Sequence, residues 1–324
     1  MRSSILDLLR QAEGSYISGE EIARQLNVSR TAVWKHMHEL KLAGYAIESH
    51  SRSGYRLLQT PDLLLPNEIK NGLATKAFGR EIKYYKEVAS TNNEAKQWAA
   101  NGAQEGTIIV SEAQNGGRGR LSRGWFSPTQ QGIWFSLILR PGFLPQEAPK
   151  CTLMAAVAIV KAIRRHTGIT AGIKWPNDIL YQGKKIVGIL TEMSAEMDGI
   201  NYIVIGSGIN VNTKLEEFPE ELRSIAASLA MITGKKISRL ELLRAVLLEM
   251  EELYEKVGQE GFAPVLAEWR QHSVTLGQQV NVIGINESFA GRAVDIDEDG
   301  ALLVESGEKV KRVLAGDVSI RPAM

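Results

Sequence analysis

The hydrophobic rhythm of this 324-residue chain changes twice, so no single layer pattern can hold all of it. Up to about residue 60, apolar residues recur at helical spacing in short segments. From about residue 81, apolar runs with the look of buried strands alternate with amphipathic stretches. After about residue 271, short alternating strands are broken by turns such as Asp299-Gly300 and Ser306-Gly307. This order implies an α+β multidomain chain. It has an N-terminal module over 1–60, a linker over 61–80, a mixed α/β domain over 81–270 and a small β-barrel over 271–324. The linker is read from Thr60-Pro61-Asp62 to Pro66, because proline restricts the chain and ends the preceding hairpin.

Charge and cysteine narrow the function classes. Lys plus Arg number 38 and Asp plus Glu 37, so overall charge names no polyanionic partner and any nucleic-acid surface must be local. A lone cysteine, Cys151, excludes an internal disulfide framework and a multi-cysteine zinc site. The longest apolar run, Cys151 to Val160, is about half of what a membrane helix needs. The N-terminus lacks the apolar stretch of a signal peptide, and a cytoplasmic protein without membrane partners is expected.

In the first module Ile5, Leu6, Leu8 and Leu9 form one helical face. Ser18-Gly19-Glu20-Glu21 reads as a capping box, with Glu21 reaching back. A tight turn at Leu26-Asn27-Val28 leads to Ser29, a cap for a helix from Arg30 to Lys41 that turns Val33, Met37 and Leu40 inward. A hairpin over Ile47–Leu58 follows, which completes the order of a winged helix-turn-helix. Arg30, Thr31, Trp34, Lys35 and His38 fall on the outer side of the second helix of the pair, where a major groove would be read. His50 and Arg52 at the hairpin tip suit a neighbouring phosphate or minor groove. Residues 1–60 hold eight Lys/Arg against six Asp/Glu, a net of +2, so a homodimer on a two-part DNA site is expected. A helical protein-interaction module remains the plainer alternative.

Chemistry concentrates in the middle of the chain. Gly116 to Trp125 packs three arginines and four glycines into ten residues, a poor core and a poor helix. Glycine lets backbone approach a ligand, and guanidinium forks suit phosphate and carboxylate. The segment is not a dinucleotide fingerprint, since the third glycine is missing, and it is not a P-loop. Lys174-Trp175-Pro176-Asn177-Asp178 leaves a strand on short polar groups; Asn177 can contact phosphate and Asp178 can hold Mg²⁺. Lys185 opens an apolar strand, where a buried ammonium needs a partner. Gly206 to Asn212 ends a strand on small residues. Together these describe an enclosed slot with converging cations under an Arg/Gly cover, suited to neutralising a reactive phosphate. Taken singly, each has an ordinary alternative: a solvated loop, a plain turn, a lysine at a strand mouth.

Ser90-Thr91-Asn92, Gln114 with Gly117-Arg118-Gly119-Arg120, Lys174 to Asp178, and Lys185-Ile186-Val187-Gly188-Ile189-Leu190 stand in the order found in biotin–protein ligases. With the winged helix and the barrel, the whole chain resembles the bacterial bifunctional biotin ligase and biotin-operon repressor family. The resemblance implies a central fold like that of class II aminoacyl-tRNA synthetases and lipoate ligases, and an SH3-like C-terminal barrel. It also implies that biotin and ATP give biotinyl-5′-AMP, whose acyl group passes to a lysine of the biotin carboxyl carrier protein. The adenylate would be corepressor at the biotin operator. By position, the biotin site would comprise Ser90, Thr91, Asn92, Gln114, Arg118, Gly119, Arg120 and Lys185. Arg118, Arg120 and Lys185 would be catalytic. Asn177, Asp178, Asn210 and Arg321 would serve the nucleotide, with Asp178 on the metal. Leu121-Ser122 interrupts the family's basic, glycine-bearing continuation of the loop. Three other readings stand beside this one: a ligase with a docking module in place of a DNA reader, a sensor without catalysis, and a ligase for lipoate or another acid.

Overall fold

The computed structural model describes residues 1–196, 199–284, 288–316 and 319–322. These form two compact units, 1–63 and 64–324, each taken here by itself.

The first unit contains α1 (Arg2–Gln11), α2 (Gly19–Leu26), α3 (Arg30–Leu42), and the hairpin β1 (Ala46–His50) and β2 (Gly54–Gln59). α2 starts because the Ser18 hydroxyl accepts the Glu21 amide at 3.0 Å. The expected reciprocal half of the box is not made: Glu21 instead takes Arg24 and Gln25, each at 2.6 Å, because these lie one turn along the same helix. Asn27, at φ 52°, ends α2, and Ser29 caps α3 by accepting the Ala32 amide at 3.1 Å. Ile5, Leu9, Ile22, Val33, Met37 and Leu40 close the core. Ile17 and Tyr55 exchange two backbone hydrogen bonds of 2.9 Å. Gly54 lies where any Cβ would meet the Ile17 carbonyl, and its φ of +100° suits glycine.

The second unit begins earlier than the sequence implies. Residues 64–80 are not a linker: α4 (Pro66–Lys70) is folded there, and Leu64, Ile69 and Phe78 are buried in the unit's core. The isolated prolines mark only the start of this segment, while its irregularly spaced apolar residues find cover against the sheet and a long helix.

A seven-stranded sheet follows. Its strands are β3 (Ile82–Tyr85), β4 (Ile108–Ser111), β5 (Gly132–Leu139), β6 (Gly172–Lys174), β7 (Asp178–Tyr181), β8 (Lys184–Glu196) and β9 (Gly199–Asn210). They stand in the order β3-β4-β5-β9-β8-β7-β6, parallel between β3 and β4 and antiparallel elsewhere. α5 (Thr91–Ala100) covers part of one face over Ala95, Ala99, Ile109 and Val204. The main core holds residues of α6 (Lys150–Thr167), α7 (Leu229–Thr233), α8 (Arg239–Glu260) and α9 (Ala263–His272) with the sheet. The apolar run of α6 is thus core, and no helix among the described residues is long and apolar enough to cross a membrane.

The C-terminal strands are β10 (Gln279–Ile283), β11 (Ser288–Ile296), β12 (Leu302–Ser306), β13 (Lys309–Val313) and β14 (Ser319–Pro322). They form a small antiparallel sheet in the order β13-β12-β11-β10-β14. This module is bolted to the rest of the unit. The buried Trp175 indole N–H donates to the Gly300 carbonyl at 3.0 Å, Lys150 donates to the Glu298 carbonyl at 3.0 Å, and Arg270 reaches Asp295 at 2.7 Å.

Candidate active site

A cavity of about 650 Å³ opens on the sheet face beside α5, within the range of small-molecule sites. Part of its wall is a polar nest. Ser90 stands at the N-cap position of α5 but makes no cap hydrogen bond, and lines the cavity instead. The Gln114 amide is fixed: its oxygen accepts the Thr91 N–H at 2.8 Å and its nitrogen donates to Ser127 at 2.9 Å. Ser136 Oγ lies 2.6 Å from Asn92 Oδ1, which can only accept, so the serine donates. Asn92 Nδ2 in turn donates to the Leu190 carbonyl at 3.1 Å and to Glu192 at 2.8 Å. Both amide hydrogens of Asn92 are therefore spent within the protein. It shapes the nest, and only its oxygen retains capacity for a ligand. Gly206 is glycine for a related reason, since Asn92 occupies the space a Cβ would need.

The rest of the wall carries charge. β8 and β9 pair Gly188 with Gly208, and the Trp125 indole lies over this cross-strand pair, where either residue's Cβ would strike it. Lys185 Nζ sits 5.1 Å from the Trp125 ring centroid and 2.6 Å from Asp178 Oδ1. The lysine–aspartate contact has the distance of an ion pair without the alignment of a hydrogen bond, since Asp178 Oδ1 has no hydrogen-bond partner. Arg120 donates to Asn177 Oδ1 at 3.2 Å and to the carbonyls of Ala315 and Gly316 at 2.5 and 2.7 Å. Asn177 is held from its other side by donating to the Ile189 carbonyl at 2.8 Å. Arg118 donates to Asn93 Oδ1 and lies 3.8 Å from Glu192 Oε1. Gly119 and Asn210 also line the cavity. The Arg/Gly segment thus forms part of the cavity wall, pinned by backbone bonds from Gly119 to Arg123 at 2.7 Å and from Trp125 to Gly117 at 2.8 Å.

Asp178, expected on the metal, has its inner oxygen against the Lys185 ammonium. No group of three or more His, Cys, Asp or Glu able to hold a metal exists among the described residues. Arg321 lies on β14 opposite Asn281, but its side chain falls outside the described part of the structure. On α3, Arg30, Thr31, Trp34, Lys35 and His38 are all exposed. Trp34 is 62% exposed and stacks on His38 with centroids 5.9 Å apart. Arg52 is exposed at the wing tip. His50 is a brace of that tip, since its Nδ1 accepts the Arg52 and Ser53 amides at 3.3 and 3.2 Å.

Sequence reasoning missed Trp125 as a wall residue, the stretch around Phe218, Leu222 and Ile225 that lines the cavity, and Glu192 with Lys96 behind the nest. The recurring glycines on two strands were the available sign for Trp125; the others carried none.

Family models match the chain in three places. The biotin/lipoate A/B protein ligase family covers residues 84–210, an HTH domain covers 2–56, and the biotin protein ligase C-terminal domain covers 275–321. Over 320 residues the chain is 43% identical to the bifunctional ligase/repressor BirA of Bacillus subtilis, spanning 99% of this chain and 98% of the relative. The chain belongs to the bacterial family of bifunctional biotin ligase/repressors. The Escherichia coli bifunctional ligase/repressor BirA is 28% identical over 96% of this chain and 95% of its own length. A structure of the Aquifex aeolicus biotin protein ligase in complex with biotin and ATP aligns with a TM-score of 0.67 at 32% identity. It covers 75% of this chain and all of that one. Within the ligase/repressor family, the ligase match spans the polar nest, the Arg/Gly loop and Lys185.

Proposed function

We propose that the chain is an ATP-dependent biotin–protein ligase that also represses biotin-synthesis genes. The observation that carries the catalytic part is the convergence of Arg118, Arg120 and Lys185 on one cavity that also holds the nest of Ser90, Thr91 and Gln114. In the first step an oxygen of the biotin carboxylate attacks the α-phosphorus of ATP, and the bond to pyrophosphate breaks. Biotinyl-5′-AMP results. The two anions repel, and the Lys185 ammonium, drawn from Asp178 by the greater negative charge, lies between them and stabilises charge building on phosphorus. In the second step the amine of a carrier-protein lysine attacks the acyl carbon and AMP leaves with the bonding pair. Ser90, Thr91 and Gln114 hold the ureido ring, with Asn92 mainly supporting them. Asn177 and Asn210 bind the nucleotide, and Arg321 is assigned to its phosphates. Arg118, Gly119 and Arg120 form the cover that retains the adenylate. No step is assigned to a metal; Mg²⁺ would arrive with ATP.

The division of labour is part of the same proposal: DNA reading by residues 1–60, catalysis by the sheet domain with residues 64–80 included, and the C-terminal module behind the cover. Arg30, Thr31, Trp34, Lys35, His38 and Arg52 contact operator DNA as a homodimer, with the adenylate as corepressor. Adenylate binding orders the cover and promotes self-association, which links biotin supply to repression.

Pyrophosphate release from ATP, measured with biotin or lipoate as the acid, tests the first half. Release with biotin and transfer to a carrier domain are expected; release with lipoate alone would overturn the choice of acid, and none with either would remove the enzyme. For the second half, operator binding should strengthen with biotin plus ATP, and Lys35→Ala should lower the salt slope by about one. Sedimentation unchanged by biotin plus ATP would remove the dimer coupling.

A further inference from the structure

Three groups meet on Glu192, on β8 behind the nest. Its Oε1 lies 2.7 Å from Lys96 Nζ and 3.8 Å from Arg118 Nη2, and its Oε2 accepts the Asn92 amide at 2.8 Å. Burial raises its carboxyl, but hydrogen bonds from Lys96 and Asn92, with the charges of Lys96 and Arg118, hold it below the usual range. It is therefore ionised at neutral pH. Arg118 thus shares a carboxylate with a second cation, and while Arg118 lines the cavity, Glu192 does not.

We infer that Glu192 is a positioning residue that competes with the bound acyl-phosphate for Arg118 and so sets how long the adenylate is kept. The inference rests on the ligase reading above. Glu192 touches no reacting atom; it acts by pulling one arm of the cover outward. Lys96 moderates that pull, because it neutralises part of the same charge. The two residues should consequently have opposite effects. Glu192→Gln keeps an acceptor for Asn92 but gives up the attraction for Arg118, so adenylate should leave more slowly. Lys96→Met leaves the full carboxylate charge to Arg118, so adenylate should leave faster. For a partly exposed pair the change in each direction is about two- to fivefold.

The experiment forms the adenylate on full-length protein with labelled biotin and ATP, then follows its release during a chase with excess unlabelled biotin. Slower release from Glu192→Gln and faster release from Lys96→Met support the inference. If Glu192 only braced Asn92, both variants would loosen the nest and speed release; that outcome, or no change in either, overturns it. Should Glu192→Gln melt early, Lys96→Met is repeated beside Arg118→Met: faster release that vanishes in the double variant decides in favour, and faster release that persists there, or unchanged release from Lys96→Met, decides against. Failure of the wild-type protein to form adenylate would instead defeat the ligase reading, and this inference with it.

Discussion

Gly188 offers the sharpest test of how closely the cavity is built. A Cβ added there would lie 2.8 Å from Trp125 Cζ3 and 3.2 Å from Lys185 Cε. Carbon atoms rest at about 3.5–4.0 Å, so the indole must withdraw by about 1 Å and the lysine stem by a few tenths. Overpacking of this kind costs about 1–3 kcal/mol. At about 2–4 °C per kcal/mol for a unit of this size, Gly188→Ala should lower Tm by roughly 2–12 °C. Its effect on chemistry should be far larger. A reacting group misplaced by about 1 Å can lose about 100-fold in rate, and both Trp125 and Lys185 are displaced together. Adenylation, read as pyrophosphate release with biotin and ATP, should fall by about that factor in kcat/KM. Gly142→Ala is the matched control, since nothing lies within 4 Å of its added Cβ. Adenylation within threefold of wild type in Gly188→Ala would refute the reasoning, because placement of Trp125 and Lys185 would then not matter.

Other outcomes follow from the same structure. Arg239 and Glu112 form an ion pair at 2.8 Å with side chains 0% and 1% exposed, so Arg239→Met should cost about 3–5 kcal/mol in urea unfolding by stranding the carboxylate. A loss below about 1 kcal/mol would mean the charge finds other cover. Lys185→Ala should reduce adenylation by about 10²–10³-fold while biotin affinity, measured by calorimetry, changes much less; equal losses would reduce Lys185 to a grip on substrate. Burial raises the Asp297 carboxyl, but Arg312 and the Ala301 amide outweigh it and hold the group below 3.8. A depressed carboxyl contributes stability above its unfolded value that is lost as pH falls through its folded value. Stability should therefore drop below about pH 4, and Asp297→Asn should flatten that drop in unfolding measured from pH 3 to 5.

The parts of this architecture that could be read from sequence are those written in local spacing. Val33, Met37 and Leu40 lie three or four residues apart, so α3 and its outer face of Arg30, Trp34 and Lys35 follow without knowledge of the rest. The Arg/Gly segment could be singled out because its composition suits neither helix nor core. What was not legible depends on distant pairing. Leu64, Ile69 and Phe78 have no period, and only the sheet and α8 make them interior. β14 ends in Pro322, a residue that argues against a strand, yet at a sheet edge its missing N–H costs nothing. Ser90 has the chemistry of a cap and serves the cavity. Glu192 is one of 37 acidic residues until β8 brings it beneath Asn92 and beside Lys96. Trp125 became intelligible through register alone, once Gly188 and Gly208 were opposite each other.

The two carbonyls that receive Arg120, those of Ala315 and Gly316, belong to the last stretch of the polypeptide, far in sequence from the cavity they help to roof. Trimming the enzyme at the apparent boundary near residue 270 would therefore not shed a passenger. It would unlatch the cover from its hinge post and bare the Trp175 indole at the same stroke. A shortened ligase meant for labelling would be expected to leak its activated biotin onto any nearby amine, and a weakened tail would trade selectivity for spill.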